Sequence, residues 1–282
     1  MSESNRPPRS PATLRIEDLR SAWREKLFSS HAWEFDQTRP PADGILEGVW
    51  LKKHAEQAPY GAYLKPTARC DYPAAAHEKI VSDLAFDLEI PVAPVLLSDC
   101  KLVFKRPQPE ACVSLVTHPS TPTWPYVLSP SILASPLGDT LREAAREQLS
   151  RIAVLDLWIE NSDRDNPGNI VYGDDATAAN RNGFVAIDHA SSMGGREGRW
   201  RNGGWRSTTP TPFPKVMVSL LDMQVMLRVA ANMASFQNSI VGSCVERIPD
   251  RYMSAEAKKD AVSGLVGRKS LLSALVLQTW KG

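Results

Sequence analysis

Asn161, Ser162, Asp163, Arg164, Asp165, Asn166 and Asn169 form a polar loop interrupted only by Pro167 and Gly168, which runs straight into the apolar Ile170, Val171 and Tyr172. After Gly173, Asp174, Asp175 and a further polar stretch, Asn182 and Gly183 lead into a second apolar run, Phe184, Val185, Ala186 and Ile187, that ends in Asp188. Two short apolar runs joined by a polar connection read as a β-hairpin. In an antiparallel pair the start of the first strand lies beside the end of the second, so Asn169 and Asp188 are expected to be neighbours. A carboxylate and an amide oxygen converging there can hold Mg²⁺, a hard cation that keeps several waters and leaves positions for phosphate oxygens. Asp163, in the loop entering the hairpin, would face a substrate hydroxyl as base or orienting group, with Arg164 beside it in the catalytic set. Asn166 is a second candidate for the metal amide, and Asp165 for the base. Positioning, together with neutralisation of phosphate charge, is what phosphoryl transfer asks of a protein.

Other readings of the same residues are weaker. Asp163, Asp165 and Gly168 resemble the first half of an EF-hand loop, but Pro167 stands at its fifth position and Asp174 at the twelfth, where that loop needs a ligand and a glutamate. His31, His54, His77 and His118 show no ligand spacing and carry no assigned chemistry. In residues 196–206, Arg196, Arg199, Arg201 and Arg206 are interleaved with Trp200 and Trp205. Arginines with aromatics can bind single-stranded nucleic acid by charge and stacking, although a loop that docks substrate beside the metal site explains them better.

The elements that must position these groups can be read from periodicity. Residues 45–51 and 61–64 have strand character and suggest a hairpin. Pro73 opens a helix that carries Ile80, Leu84 and Leu88 and stops before Pro91. Strands are expected at 92–97 and 102–105, followed by a Pro- and Ser-rich connection over 107–136. A helix over 141–160, with Leu149, Ile152, Leu155, Trp158 and Ile159 on its apolar face, leads into the polar loop. Two or three further helices are expected from 216 to 280, broken near Pro249 and between Gly264 and Gly267. At the other end, residues 1–15 read as a disordered tail, 16–28 as an amphipathic helix and 29–44 as irregular.

Helix, D-R-x-x-x-x-N, strand, loop, strand and I-D-H in this order resemble the catalytic core of the HipA-like kinases and the phosphatidylinositol kinases, relatives of the protein-kinase fold. Protein kinases themselves carry H-R-D-x-x-x-x-N followed by D-F-G. The resemblance implies an α+β, bilobal protein-kinase-like fold: a small N-terminal α+β lobe over 16–118 and a mainly helical C-terminal lobe over 119–282. It also implies a strand lysine on the ATP phosphates and a helix glutamate to fix it. Lys65 and, 13 residues later, Glu78 stand where these are required. ATP and Mg²⁺ are the implied cofactors and a serine or threonine of a protein the implied acceptor. A lipid or small-molecule hydroxyl, or a nucleotide-binding pseudokinase acting through protein partners, are the alternatives. The chain departs from the protein-kinase pattern at three points. Asn169 follows Asp163 by six residues rather than five, His189 and Ala190 replace Phe and Gly, and no G-x-G-x-x-G precedes Lys65. Residues 52–60 are the expected cover for the phosphates.

Composition bounds the rest. With 282 residues, 43% of them hydrophobic, the chain can bury a full core, and a net charge of +1 gives no global pull toward nucleic acid or acidic membranes. Cys70, Cys100, Cys112 and Cys244 form no C-x-x-C pair. Reduced thiols in a cytoplasm are expected, without a signal peptide or a membrane span.

Overall fold

The computed structural model describes residues 33–35, 48–53, 61–67, 70–98, 111–116, 128–136, 138–174, 182–195 and 212–280. The expected tail and first helix, the expected strand over 102–105, residues 54–60 and the arginine-rich segment over 196–206 lie outside these. No helix among the described residues is long and apolar enough to cross a membrane.

Five strands form one antiparallel sheet in the order β1-β2-β3-β5-β4. They are β1 (Trp33–Phe35), β2 (Val49–Lys53), β3 (Gly61–Pro66), β4 (Val95–Ser98) and β5 (Ala111–Val116). The β2–β3 hairpin and β4 fall where the sequence places them. Two strands do not. β5, paired along its whole length with β3, occupies what reads as a Pro- and Ser-rich connector. Its own residues, Ala-Cys-Val-Ser-Leu-Val, hold no proline; those at Pro107, Pro109 and Pro119 only bracket it. β1 is three residues long, too short to show a period of two, and is held by its pairing with β2.

Helix α1 (Ala74–Asp87) lies between β3 and β4 in sequence and is buried on nearly every side. Burial on all faces is ordinary for its alanines and for Ile80, Val81 and Leu84, but it obliges His77, Glu78, Lys79, Ser82 and Asp83 to find partners. Lys79 Nζ meets Asp83 at 2.7 Å one turn on, and the Ser82 hydroxyl donates to the Ala93 carbonyl and accepts from Val95 N–H. The helix stops well before Pro91. Glu89 adopts φ 56° and the Ile90 and Glu89 amides bond back to the Ala85 and Phe86 carbonyls, the geometry of a Schellman stop with glutamate in the usual glycine position.

The remaining elements are helices and one hairpin. α2 (Pro130–Leu133) is a single turn with proline at its start, and α3 (Gly138–Ile159) supplies the central apolar face with Leu149, Ile152, Leu155 and Trp158. β6 (Ile170–Asp174) and β7 (Asn182–Ala186) form the expected antiparallel hairpin. α4 (Lys215–Val218), α5 (Met223–Ser235), α6 (Asn238–Glu246), α7 (Ala255–Lys269) and α8 (Leu272–Trp280) complete the described chain. Asp222 caps α5 and Ser254 caps α7. The break near Pro249 is present, but the one expected between Gly264 and Gly267 is not: both glycines lie inside α7. Each costs that helix about 1 kcal/mol against alanine. The buried Ala261 and Leu265, the Ser254 cap and the basic last turn outweigh the cost.

One contact ties the segment after α1 to the hairpin. Val92 bridges Ala186 in parallel fashion, while Ala93 N–H donates to the Ala186 carbonyl and Ala186 N–H to the Pro91 carbonyl. α1 and the end of β7 are thereby fixed side by side.

Candidate active site

Lys65 projects from β3 and Glu78 from the second turn of α1. Because α1 is registered on β7, both meet the residue that follows the hairpin. Lys65 Nζ lies 2.7 Å from Glu78 Oε1 and 2.9 Å from Asp188 Oδ1. The second Glu78 oxygen accepts the backbone N–H of His189 at 2.8 Å. One ammonium thus joins two carboxylates contributed by three separate elements. The Lys65 and Glu78 side chains are nearly fully buried, whereas that of Asp188 keeps 34% exposure. The cluster opens to solvent at Asp188. Burial works to raise the Asp188 carboxyl, but the Lys65 ammonium and its hydrogen bond, with Arg164 farther off, outweigh it and hold the group below the ordinary carboxylate range. For Glu78 burial dominates and pushes the carboxyl up against the pull of Lys65.

Asp188 sits at φ 58°, a left-handed conformation that aspartate tolerates better than most residues. That conformation falls where the chain leaves β7.

The loop from 161 to 169 is built on α3. Glu160, at φ 52°, ends that helix and folds the chain back, so that Asn161 N–H bonds the Asp156 carbonyl and Asn161 Nδ2 the Asp156 carboxylate. Asp156 is fully buried, and Arg164 reaches it from the loop at 2.7 Å through Nε and 3.2 Å through Nη2. The same guanidinium donates through Nη1 to the carbonyls of Asn169 and, at 2.8 Å, of Ile187, while Nη2 stands 3.1 Å from His189 Nδ1. Arg164 is therefore an internal brace between loop and hairpin, not a side chain presented to a ligand.

The hairpin places Asn169 opposite Ile187, one residue short of Asp188, through Ile187 N–H to the Asn169 carbonyl at 3.0 Å. The Asn169 side chain turns to the loop: Nδ2 donates to the Asp163 carbonyl at 2.9 Å and to Asp163 Oδ2 at 3.1 Å. Its Oδ1 is the amide atom that could coordinate a cation. Asn166, the other amide, is exposed and its Oδ1 caps the short turn Pro167–Asn169 by accepting from Gly168 N–H. Asp165 is exposed as well, whereas Asp163 is half-buried. Burial raises the Asp163 carboxyl, the Asn169 hydrogen bond opposes this, and the negative charge of Asp188 adds to it. The charge of Asp188 thus reaches Asp163.

A crystal structure of a Helicobacter pylori proinflammatory kinase, CtkA, superposes with a TM-score of 0.54 over 87% of this chain and 96% of that one, at 13% sequence identity. The chain has a kinase-like fold. Neither a protein-family model nor a curated protein sequence matches it. Within the kinase-like fold, the described donors are hard oxygens, namely Asp188, Asn169 and Asp163. No group of three His, Cys, Asp or Glu side chains among the described residues could hold a metal alone. This set suits a cation shared with phosphates, as Mg²⁺ is when one or two carboxylates hold it.

Two contributors escape a sequence reading. Asp156 interrupts the apolar run from Ile152 to Ile159, and an acid on such a face needs a buried cation; that was the available signal for pairing it with Arg164. His77 precedes Glu78, stacks on Tyr72 with ring centroids 6.0 Å apart, and lies with Nδ1 3.2 Å from the Ala190 carbonyl. Burial lowers the His77 pKa to about 4 despite that carbonyl. The folded protein then holds His77 neutral while the unfolded chain protonates it near pH 6.5, so stability falls with pH across that interval. The loss reaches about 3 kcal/mol by pH 4. Urea unfolding at pH 7 and pH 4.5 should show a steeper decline for the wild type than for His77→Gln; parallel declines would contradict it.

Proposed function

We propose that this chain is an ATP- and Mg²⁺-dependent phosphotransferase of the HipA-like kind that phosphorylates serine or threonine on a protein. The observation that carries the proposal is the Lys65 ammonium bridging Glu78 and Asp188, with Asp163 and Asn169 on the adjoining loop. In this reading the sheet and α1, within 16–118, form the lobe that grips the nucleotide, and the helices of 119–282 form the lobe that carries the loop and hairpin. Lys65 binds the α- and β-phosphates, and Glu78 keeps its ammonium from closing permanently on Asp188. Asp188 and Asn169 hold Mg²⁺, which when bound neutralises charge on the transferring phosphoryl group. Asp163 orients the acceptor hydroxyl and takes its proton, a role favoured by its raised pKa. Activity in the cytoplasm belongs to the same proposal.

Tyr63 stands two residues before Lys65 and so on the same face of β3. It pairs in register with Trp50 of β2, their ring centroids 5.0 Å apart and the planes at 56°. Burial raises the Tyr63 hydroxyl, with Lys65 opposing and Asp188 adding, which puts the ring within electrostatic reach of the cluster. A base attached to phosphates on Lys65 would lie across these aromatics. ATP should therefore change the intrinsic fluorescence, and Trp50→Leu should remove that change; an undiminished response would contradict the placement.

Incubation with γ-labelled ATP, Mg²⁺ and cell extract tests the activity. Label in protein bands supports the proposal. Label confined to lipids or small metabolites points to another acceptor. ATP at 100-fold above its Kd stabilises a folded protein by about 2.7 kcal/mol. A melting-temperature rise of that order without any transfer would mark a pseudokinase, and no rise at all would defeat the nucleotide site.

A further inference from the structure

The residue after the metal aspartate is His189, where protein kinases carry an apolar phenylalanine, and its ring is fully buried. Its backbone and side chain face different partners: N–H goes to Glu78 Oε2 at 2.8 Å, and Nδ1 stands 3.1 Å from Arg164 Nη2. An arginine guanidinium has donors and no acceptor, so the ring nitrogen that faces it must present a lone pair. The proton of the neutral ring then resides on Nε2, which is buried with no hydrogen-bond partner among the described residues.

Arg164 has more to do than pair with Asp156. Its Nη1 donates to two carbonyls, one of Asn169 in the loop and one of Ile187 just before Asp188. A guanidinium is planar, and fixing two of its edges fixes the third. Asp156 takes Nε and one Nη2 hydrogen; the imidazole Nδ1 takes the other side of Nη2. With both held, Nη1 can point only between loop and hairpin.

We infer that His189 is a positioning residue: its neutral imidazole, protonated on Nε2, accepts from Arg164 through Nδ1 and aims the guanidinium at the two carbonyls that set Asp163 and Asn169 against Asp188. It touches neither nucleotide nor acceptor. Its effect is on the alignment of the three groups, to which phosphoryl transfer is most sensitive; a misplacement near 1 Å costs about 10²-fold in rate.

The kinetic consequence rests on the phosphotransferase reading, whereas the tautomer does not. Two measurements keep them apart. In uniformly folded wild-type protein labelled with ¹⁵N-histidine, the resonance that disappears in His189→Asn should show an unprotonated Nδ1 and a protonated Nε2. An Nδ1–H tautomer would overturn the inference whatever the protein catalyses. In the second, His189→Leu, which removes the acceptor, should lower kcat about 10²-fold with the ATP Kd unchanged. His189→Asn, whose Oδ1 takes the place of Nδ1, should restore most of that loss. A role in packing alone predicts the reverse order, since leucine fills the buried site better than asparagine. Wild-type kcat in the leucine variant, or no rescue by asparagine, would refute the positioning role. A wild type that transfers nothing would defeat the phosphotransferase reading and leave the tautomer measurement to decide this one.

Discussion

Under the proposed function, Asp163→Ala should lower phosphoryl transfer about 10²- to 10⁴-fold, the contribution of a general base, and leave ATP affinity and thermal stability near those of the wild type. The separation follows from what Asp163 touches. Among the described residues its carboxylate receives one hydrogen bond, from Asn169 Nδ2, and that same nitrogen also donates to the Asp163 backbone carbonyl at 2.9 Å. Removing the side chain thus leaves the Asn169 amide anchored. No buried cation loses its partner, and the Lys65, Glu78 and Asp188 cluster is untouched. In the proposed role the carboxylate acts when an acceptor hydroxyl must surrender its proton, so kcat and kcat/KM should fall together. Steady-state kinetics with labelled ATP, alongside a binding titration, reads both quantities. A variant with unchanged kcat, or one that no longer binds ATP, would move the base elsewhere, Asp165 being the adjacent carboxylate.

Arg164→Leu acts in the opposite way and destabilises the fold by about 3–5 kcal/mol, the cost of leaving one member of a buried ion pair alone. Asp156 is completely enclosed and, among the described residues, would keep only Asn161 Nδ2 as a donor to its side chain. Burial already pushes its carboxyl up even with Arg164 present, and loss of the guanidinium would push it further up. The carbonyls of Asn169 and Ile187 would lose a donor as well. Urea unfolding at pH 7 measures the loss. Asp156→Leu combined with Arg164→Leu should cost less than the sum of the single changes, because the pair is removed together. Additive costs, or a single-variant loss below about 1 kcal/mol, would show that the pair does not carry the loop.

Much of this arrangement is written in local sequence. The hairpin at β6 and β7 follows from two apolar runs around a polar turn, and α1 from its opening proline and its apolar residues. Lys65 and Glu78, 13 residues apart on a strand and the next helix, could be paired before any coordinates because the resemblance to kinases asks for such a pair. What local pattern hides is whatever depends on distant chain. β5 is a strand because β3 lies beside it, and the prolines around it masked a six-residue run without any. The glycines of α7 look like a break until the buried face of that helix is seen. Asn169 could be favoured over Asn166 for its place against the strand, but its bond to Asp163 and the Asn166 cap come only with the loop's fold. Arg164 reads as part of a catalytic motif, and only its enclosure by Asp156, His189 and two carbonyls shows it facing inward.

In the proposed function Asp188 and Asn169 hold a cation together with the phosphates of a nucleotide that Lys65 binds. Binding of ATP and of Mg²⁺ must then be coupled, each tightening the other by the same factor, with a coupling of about 1–3 kcal/mol. Calorimetric titration of ATP with and without Mg²⁺, in the wild type and in Asp188→Asn, measures this directly. Mg²⁺ is expected to tighten ATP binding to the wild type, and the effect should largely disappear in Asp188→Asn, while ATP alone still binds. Equal coupling in both proteins would contradict it.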